Sequence, residues 1–169
     1  GTFTNFIINS RNLTKGQTWK AQVRISDGTD NSIYVNTSEI LILNTAPAFD
    51  GGYPQINSTD GTNQTTKNLR INIRATDNDP EDITLKYNIT WYTNNVSNFT
   101  LNNIYYINGT LQVDTLNSRN LTKGQTWKAM VNLFDNNTNV IANTSELLIL
   151  NTAPQFQANP IINSTNGLN

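Results

Sequence analysis

The sequence predicts an all-β protein assembled from tandem β-sandwich repeats of about 107 residues. Three observations lead there. A long block of sequence occurs twice without change, apolar and polar side chains alternate with a period of two, and turn-forming residues separate the alternating runs.

The duplication sets the organisation. Residues 9–21 read NSRNLTKGQTWKA and recur as residues 117–129, an offset of 108. After a one-residue deletion in the second copy, Asn36-Thr37-Ser38-Glu39 matches Asn143-Thr144-Ser145-Glu146. The segment from Leu41 to Pro47, ending Asn44-Thr45-Ala46-Pro47, matches the segment from Leu148 to Pro154. Further on, Pro54-Gln55-Ile56-Asn57-Ser58-Thr59 corresponds to Pro160-Ile161-Ile162-Asn163-Ser164-Thr165. In this phase residues 1–53 are the C-terminal half of one repeat, 54–159 a complete repeat and 160–169 the start of the next. Half a sandwich has an open sheet edge and half a core. Two completions are expected for it: neighbouring repeats in a longer polymer, or strand exchange with another chain. Gly1-Thr2 corresponds to Gly109-Thr110, so Asn is expected before Gly1 and a further strand after Asn169.

Alternation then defines the strands. Leu69, Ile71, Ile73 and Ala75 alternate with Asn68, Arg70, Asn72 and Arg74. Tyr87, Ile89 and Trp91 alternate with Asn88, Thr90 and Tyr92, and Trp127, Ala129, Val131 and Leu133 with Lys128, Met130 and Asn132. The first copy repeats the last pattern with Trp19, Ala21, Val23 and Ile25. All three Trp share the parity of aliphatic residues, which predicts core positions rather than outward platforms for sugar rings. Turns are predicted at Asp60-Gly61, Asp79-Pro80, Asn108-Gly109, Lys123-Gly124 and Asp135-Asn136, with Asp27-Gly28 in the first copy. The runs Ile40–Leu43 and Leu147–Leu150 are apolar at every position. Such a strand either contacts something beyond its own sandwich or switches parity at a bulge.

The segment from Leu121 to Val131 resembles the corner before the sixth strand in fibronectin type III and related Ig-like domains. A Leu, a Gly turn and an aromatic residue precede an alternating strand there, and Trp91 falls where the third strand buries a Trp. The aromatic of the corner is Trp127 rather than Tyr, and the cysteine pair of antibody domains is missing. With repeats that end Asn-Thr-Ala-Pro, the chain resembles tandem Ig-like repeats of prokaryotic, especially archaeal, surface and fibril proteins. That resemblance implies Ig-like sandwiches and an extracellular, cell-surface setting.

Composition narrows the function. Charged residues are 14% of the chain, the net charge is −1, and Cys and His are absent. A typical soluble domain carries about 25% charged residues. No basic cluster is present to attract nucleic acid, and no apolar run is long enough to span a membrane. Without Cys or His the chain lacks a thiolate nucleophile, the commonest general base and the commonest transition-metal ligand. An enzyme is not expected.

Asn-X-Ser/Thr sequons occur at Asn12, Asn36, Asn57, Asn63, Asn88, Asn95, Asn98, Asn108, Asn120, Asn136, Asn143 and Asn163. That is roughly twice the number the Asn, Ser and Thr content would produce by chance, and each is an acceptor pattern for N-glycosylation. Asn88 has outward parity, and most of the others fall in turns or at strand ends, where a glycan is accommodated. The plain alternative is a set of Asn/Thr-rich turns without sugar. A mean hydropathy of −0.47 with so little charge favours sugar as the source of solubility.

The acidic run Asp77-Asn78-Asp79-Pro80-Glu81-Asp82 has the spacing to offer carboxylate oxygens to Ca²⁺ through Asp77, Asp79 and Asp82. The alternative is a Pro-containing turn whose Asp side chains cap backbone N–H groups. No other cofactor is expected. The expected function is structural: an N-glycosylated fibril or stalk whose partners are copies of itself or adjacent repeats, stiffened at Pro47 and Pro154. The alternative is the stalk of an adhesin whose recognition domain lies elsewhere.

Overall fold

The structure is a computed structural model that describes residues 5–162. Residues 5–44 form only short ladders: β1 (Thr18–Trp19), β2 (Gln22–Val23), β3 (Val35–Asn36) and β4 (Ile40–Leu41). β1 pairs with β4 and β2 with β3, both antiparallel. The remaining strands, most of them longer, follow. They are β5 (Ala48–Phe49), β6 (Gln55–Ser58), β7 (Leu69–Thr76), β8 (Thr84–Thr93), β9 (Val96–Ile107), β10 (Leu111–Leu116), β11 (Thr126–Phe134), β12 (Asn139–Asn143) and β13 (Leu147–Leu148). One sheet runs β10-β7-β5, with β6 also on β7, and the other runs β12-β11-β8-β9, with β13 also on β11. Two single 3₁₀ turns, Ser10–Asn12 and Ser118–Asn120, are the only helical residues among those described.

Two antiparallel sheets enclosing one apolar core make the arrangement of a β-sandwich. The alternation read in the sequence is the alternation buried: Leu69, Ile71, Ile73 and Ala75 face Tyr87, Ile89, Trp91, Trp127, Ala129, Val131 and Leu133. Trp91 and Trp127 meet edge to face, ring centroids 6.4 Å apart, and Tyr87 and Tyr106 do the same at 6.3 Å. This geometry brings the positive ring edge to the negative ring face. Among the described residues, none before Phe49 contributes to this core.

The turns follow their chemistry. Gly61, Gly109 and Gly124 adopt positive φ where the sequence places Asp-Gly, Asn-Gly and Lys-Gly turns, and Asn136 does so after Asp135. Asn94 and Asn95, both at positive φ, close the β8–β9 hairpin as a two-residue turn. The sandwich also begins earlier than the repeat phase suggests. β5 pairs Ala48 with Thr76 and Phe49 with Ala75, within the residues assigned to the preceding copy. The Gly51-Gly52 turn then divides this edge strand into β5 and β6, so repeat boundary and strand boundary differ by a few residues.

Tyr106 ties the two sheets together at one end. Its hydroxyl, fully buried on β9, accepts from the Ala75 backbone N–H of β7 at 2.8 Å. It lies 2.6 Å from the Thr110 carbonyl and 2.9 Å from that of Ala75, to which it donates. Tyr106→Phe leaves the buried Ala75 N–H without its acceptor and takes a donor from the carbonyls of Ala75 and Thr110. The expected loss is about 1–3 kcal/mol in urea unfolding. An unchanged midpoint would mean that water replaces the hydroxyl.

Candidate functional site

The two copies of the repeated block fold alike locally. Asn9 and Asn117 each cap a 3₁₀ turn by accepting from Arg11 N and Arg119 N at 2.9 Å. Gln17 Oε1 accepts from Thr14 N at 3.0 Å and from the Trp19 indole at 3.0 Å; Gln125 Oε1 accepts from Thr122 N at 2.8 Å and from the Trp127 indole at 3.2 Å. In both copies the glutamine thus satisfies the indole N–H of the tryptophan two residues on. Ala21 N donates to Thr37 Oγ1, and Ala129 N to Thr144 Oγ1, both at 3.0 Å. Gly16 N and Gly124 N reach the carbonyls of Ile42 and Ile149 at 2.8 Å.

Packing separates the copies. Val131 and Leu133 are fully buried, whereas their counterparts Val23 and Ile25 are exposed. Leu147 is buried and its counterpart Ile40 is exposed. Trp127 is 1% exposed, while Trp19 is only half-buried. The second copy is covered by β7 and β8. Among the described residues nothing plays that part for the first.

The first copy meets the sandwich through polar groups. Lys15 N donates to Glu81 Oε1 at 2.8 Å, and its ammonium lies 2.7 Å from Asp82 Oδ2. Thr45 N donates to Asp79 Oδ2 at 2.9 Å. The Asn44 amide donates to Asp135 Oδ2 and Thr138 Oγ1, each at 3.0 Å. The linker Asn44-Thr45 is therefore held by the acidic loop 77–82 and by the β11–β12 turn.

The acidic loop is itself pinned by a sequon residue. Asn108 Oδ1 accepts from Asp77 N at 2.9 Å, and Asn108 Nδ2 donates to the carbonyls of Asp77 and Asp82 at 2.8 and 2.9 Å. Asp77 Oδ1 accepts from Asp79 N at 2.9 Å, the capping turn the Pro-containing sequence allows. The three carboxylates brought together are Asp77, Asp82 and Asp135, with one oxygen of each within 4.8 Å of the others. Asp79, grouped with Asp77 and Asp82 in the sequence reading, instead turns to the linker. Asp135 replaces it from a turn far along the chain.

The electrostatics follow from this crowding. Burial raises the Asp77 carboxyl above its ordinary range, and neighbouring Asp82, Asp79 and Asp135 add to that despite the Asp79 N–H bond. Burial acts the same way on Asp135. There it is outweighed by hydrogen bonds from Thr138, Asn44 and Asn137, which bring the carboxyl down to about 2. Burial acts to lower Lys15, but the hydrogen bond and charge of Asp82, with the charges of Asp135 and Asp79, together outweigh it and raise the ammonium.

The sequons are distributed over the surface. Asn12, Asn36, Asn57, Asn95, Asn98, Asn120, Asn136 and Asn143 are exposed, and Asn63, Asn88 and Asn108 are half-buried. Asn163 lies outside the described residues. Asn95 is at a hairpin tip, and Asn88 stands opposite Asn132 on the outer face of its sheet. The amide nitrogens of Asn98 and Asn120 each donate one exposed hydrogen bond, whereas that of Asn108, the atom a glycan would occupy, makes two in the part-buried acidic loop.

The apolar run at the end of the repeat keeps its parity without a bulge. Leu147 and Ile149 point inward, while Leu148 and Leu150 are 50% and 46% exposed. Their counterparts Leu41 and Leu43 are exposed as well. No helix among the described residues is long and apolar enough to cross a membrane. No protein-family model matches the chain, and a search of curated proteins finds no relative.

Proposed function

We propose that this chain is a structural segment of an extracellular, N-glycosylated fibril or surface stalk built from tandem Ig-like sandwiches of the fibronectin type III-like kind. One observation carries the reading. Residues 9–44 repeat the capped 3₁₀ turn, the glutamine–indole bond and the short strand pairings of residues 117–151, yet leave uncovered the face that β7 and β8 cover in the second copy. A segment like 46–108 is what that face fits, and a row of repeats supplies one at every step. The sheet composition supports the Ig-like type: β5/β6, β7 and β10 share one layer, and β8, β9, β11 and β12 share the other. Strands of about eight residues give each sandwich a length of roughly 30 Å. The polar contacts of Asn44 and Thr45 orient one repeat on the next.

The sugar coat belongs to the same reading. Exposed sequons on both sheets and at hairpin tips place glycans over strand edges that otherwise invite pairing with other chains. Chemical deglycosylation of native material followed by denaturing electrophoresis tests the proposal. A ladder or one very large species is expected, and a single band near 18.9 kDa would overturn the polymer. Glycopeptide mapping is expected to find sugar at Asn12, Asn36, Asn57, Asn88, Asn120, Asn143 and Asn163. Asn108 is expected to be bare. Peptides of unmodified mass at all of these sites would remove the glycan from the proposal.

A further inference from the structure

The joint between the first copy and the sandwich contains more buried negative charge than its one cation balances. Asp77, Asp82 and Asp135 are 7%, 8% and 2% exposed. Three ionised carboxylates against the Lys15 ammonium leave a net charge of two minus in a place water scarcely reaches. Buried charge without a partner is costly.

Two oxygens show where the deficit lies. Asp77 Oδ2 is buried and has no hydrogen-bond partner, although Asp77 Oδ1 is capped by Asp79 N. Asn44 Oδ1 is likewise buried and without a partner, while the nitrogen of the same amide is bonded to Asp135. Hydrogen bonds within the loop do not account for either orphan. A buried lone pair on each side of the joint, beside two further carboxylates, is a set of acceptors that lacks a donor.

We propose that Asp77, Asp82 and Asp135, together with the side-chain oxygen of Asn44, form a Ca²⁺ site that locks each repeat to the next. The donors are all oxygens, which suits a hard cation and not a soft one. A divalent ion neutralises the charge left over after Lys15. The three carboxylate oxygens lie within 4.8 Å of one another, close enough to share one ion. An irregular, all-protein set of oxygens suits the flexible shell of Ca²⁺ better than the near-ideal octahedron of Mg²⁺, which keeps its waters. Four side chains leave room in the shell for water. Asn44 comes from the linker and the carboxylates from the sandwich, so the ion would join the two. Asn151 occupies the position of Asn44 in the second copy, which repeats the linker half of the site.

Calorimetric titration of CaCl₂ into the chelator-stripped 169-residue chain tests this, alongside thermal unfolding with and without the ion. One saturable site per chain is expected, with a Kd of about 0.1–1 mM as in extracellular modules, and a higher Tm. Asp77→Asn is isosteric and is expected to weaken binding at least about tenfold, a change read directly in Kd. Asp79→Asn, whose carboxylate caps Thr45, is expected to leave binding little changed. Circular dichroism of both variants establishes that each is folded. No saturable heat and no Tm shift at 10 mM CaCl₂ (on the order of tenfold above the expected Kd) would overturn the site in the wild-type chain, whatever the variants do. Equal binding by Asp77→Asn would place the ion elsewhere. An equal response to MgCl₂ would overturn the assignment to Ca²⁺. Because the titration does not depend on polymer length or sugar, it can fail while the fibril reading stands, and the reverse.

Discussion

Trp127→Ala is expected to cost about 3–5 kcal/mol of stability, the range for large aromatic truncations in a core. Trp19→Ala is expected to cost less than about 1 kcal/mol, as substitutions away from a packed core do. The two residues sit in identical 13-residue surroundings and make the same indole hydrogen bond to a glutamine. Helical or strand propensity, turn chemistry and local bonding therefore cancel in the comparison. What remains is burial. Trp127 meets Trp91 edge to face within a closed core, and Trp19 has only its own short ladders to lean on. Urea unfolding of the two variants, followed by circular dichroism, measures the difference. Equal losses would mean that residues 5–44 unfold together with the sandwich and that their exposed face is covered in solution.

Placing residues 46–108 directly ahead of Gly1 is expected to bring Trp19 into a core. The fusion recreates around the first copy the chain order found around the second, in which Asn108 precedes Gly109. The added segment carries the strands equivalent to β5–β9, including the partners that bury Trp127, Val131 and Leu133. Trp19 emission is expected to shift to shorter wavelength. Trp19→Ala in the fused chain is expected to cost about 3–5 kcal/mol, matching the second copy. Supplying 46–108 as a separate chain asks whether exchange between chains completes the half-repeat as well. If Trp19→Ala stays nearly neutral in the fusion, the repeat phase does not correspond to a folding unit, and the tandem-sandwich reading fails with it.

Both expectations rest on a pattern legible without coordinates. The duplication, the parity of Trp91 and Trp127, the inward faces of β7, β8 and β11 and the positive-φ glycines all follow from local sequence. Side-chain period and turn residues are properties of neighbours along the chain. The longest strand, β9, was not legible in this way. A register shift opposite Asn88, with Asn103 at positive φ, breaks its alternation, and its place at the sheet edge leaves most of its residues exposed. The division of the first edge strand into β5 and β6 was hidden for a similar reason. Two-residue pairing is decided by the neighbouring strand rather than by the pair itself.

The carboxylate cluster shows where local reading ends. Asp77, Asp79 and Asp82 share a short acidic run, and their spacing alone suggests that they act together. The tertiary structure turns Asp79 towards Thr45 and brings in Asp135 and Asn44. No spacing rule connects these residues, because their proximity comes from the closing of two sheets and the course of a linker. Asn108 makes the same point: its sequon is identical in kind to the others, but folding commits its amide to the acidic loop. By itself the sequence determined the repeat, the strand faces and the turns, all of which depend on residues close along the chain. Tertiary structure alone decided which copy acquired a core, which carboxylates met and which asparagine was already engaged, since each depends on contacts between distant segments.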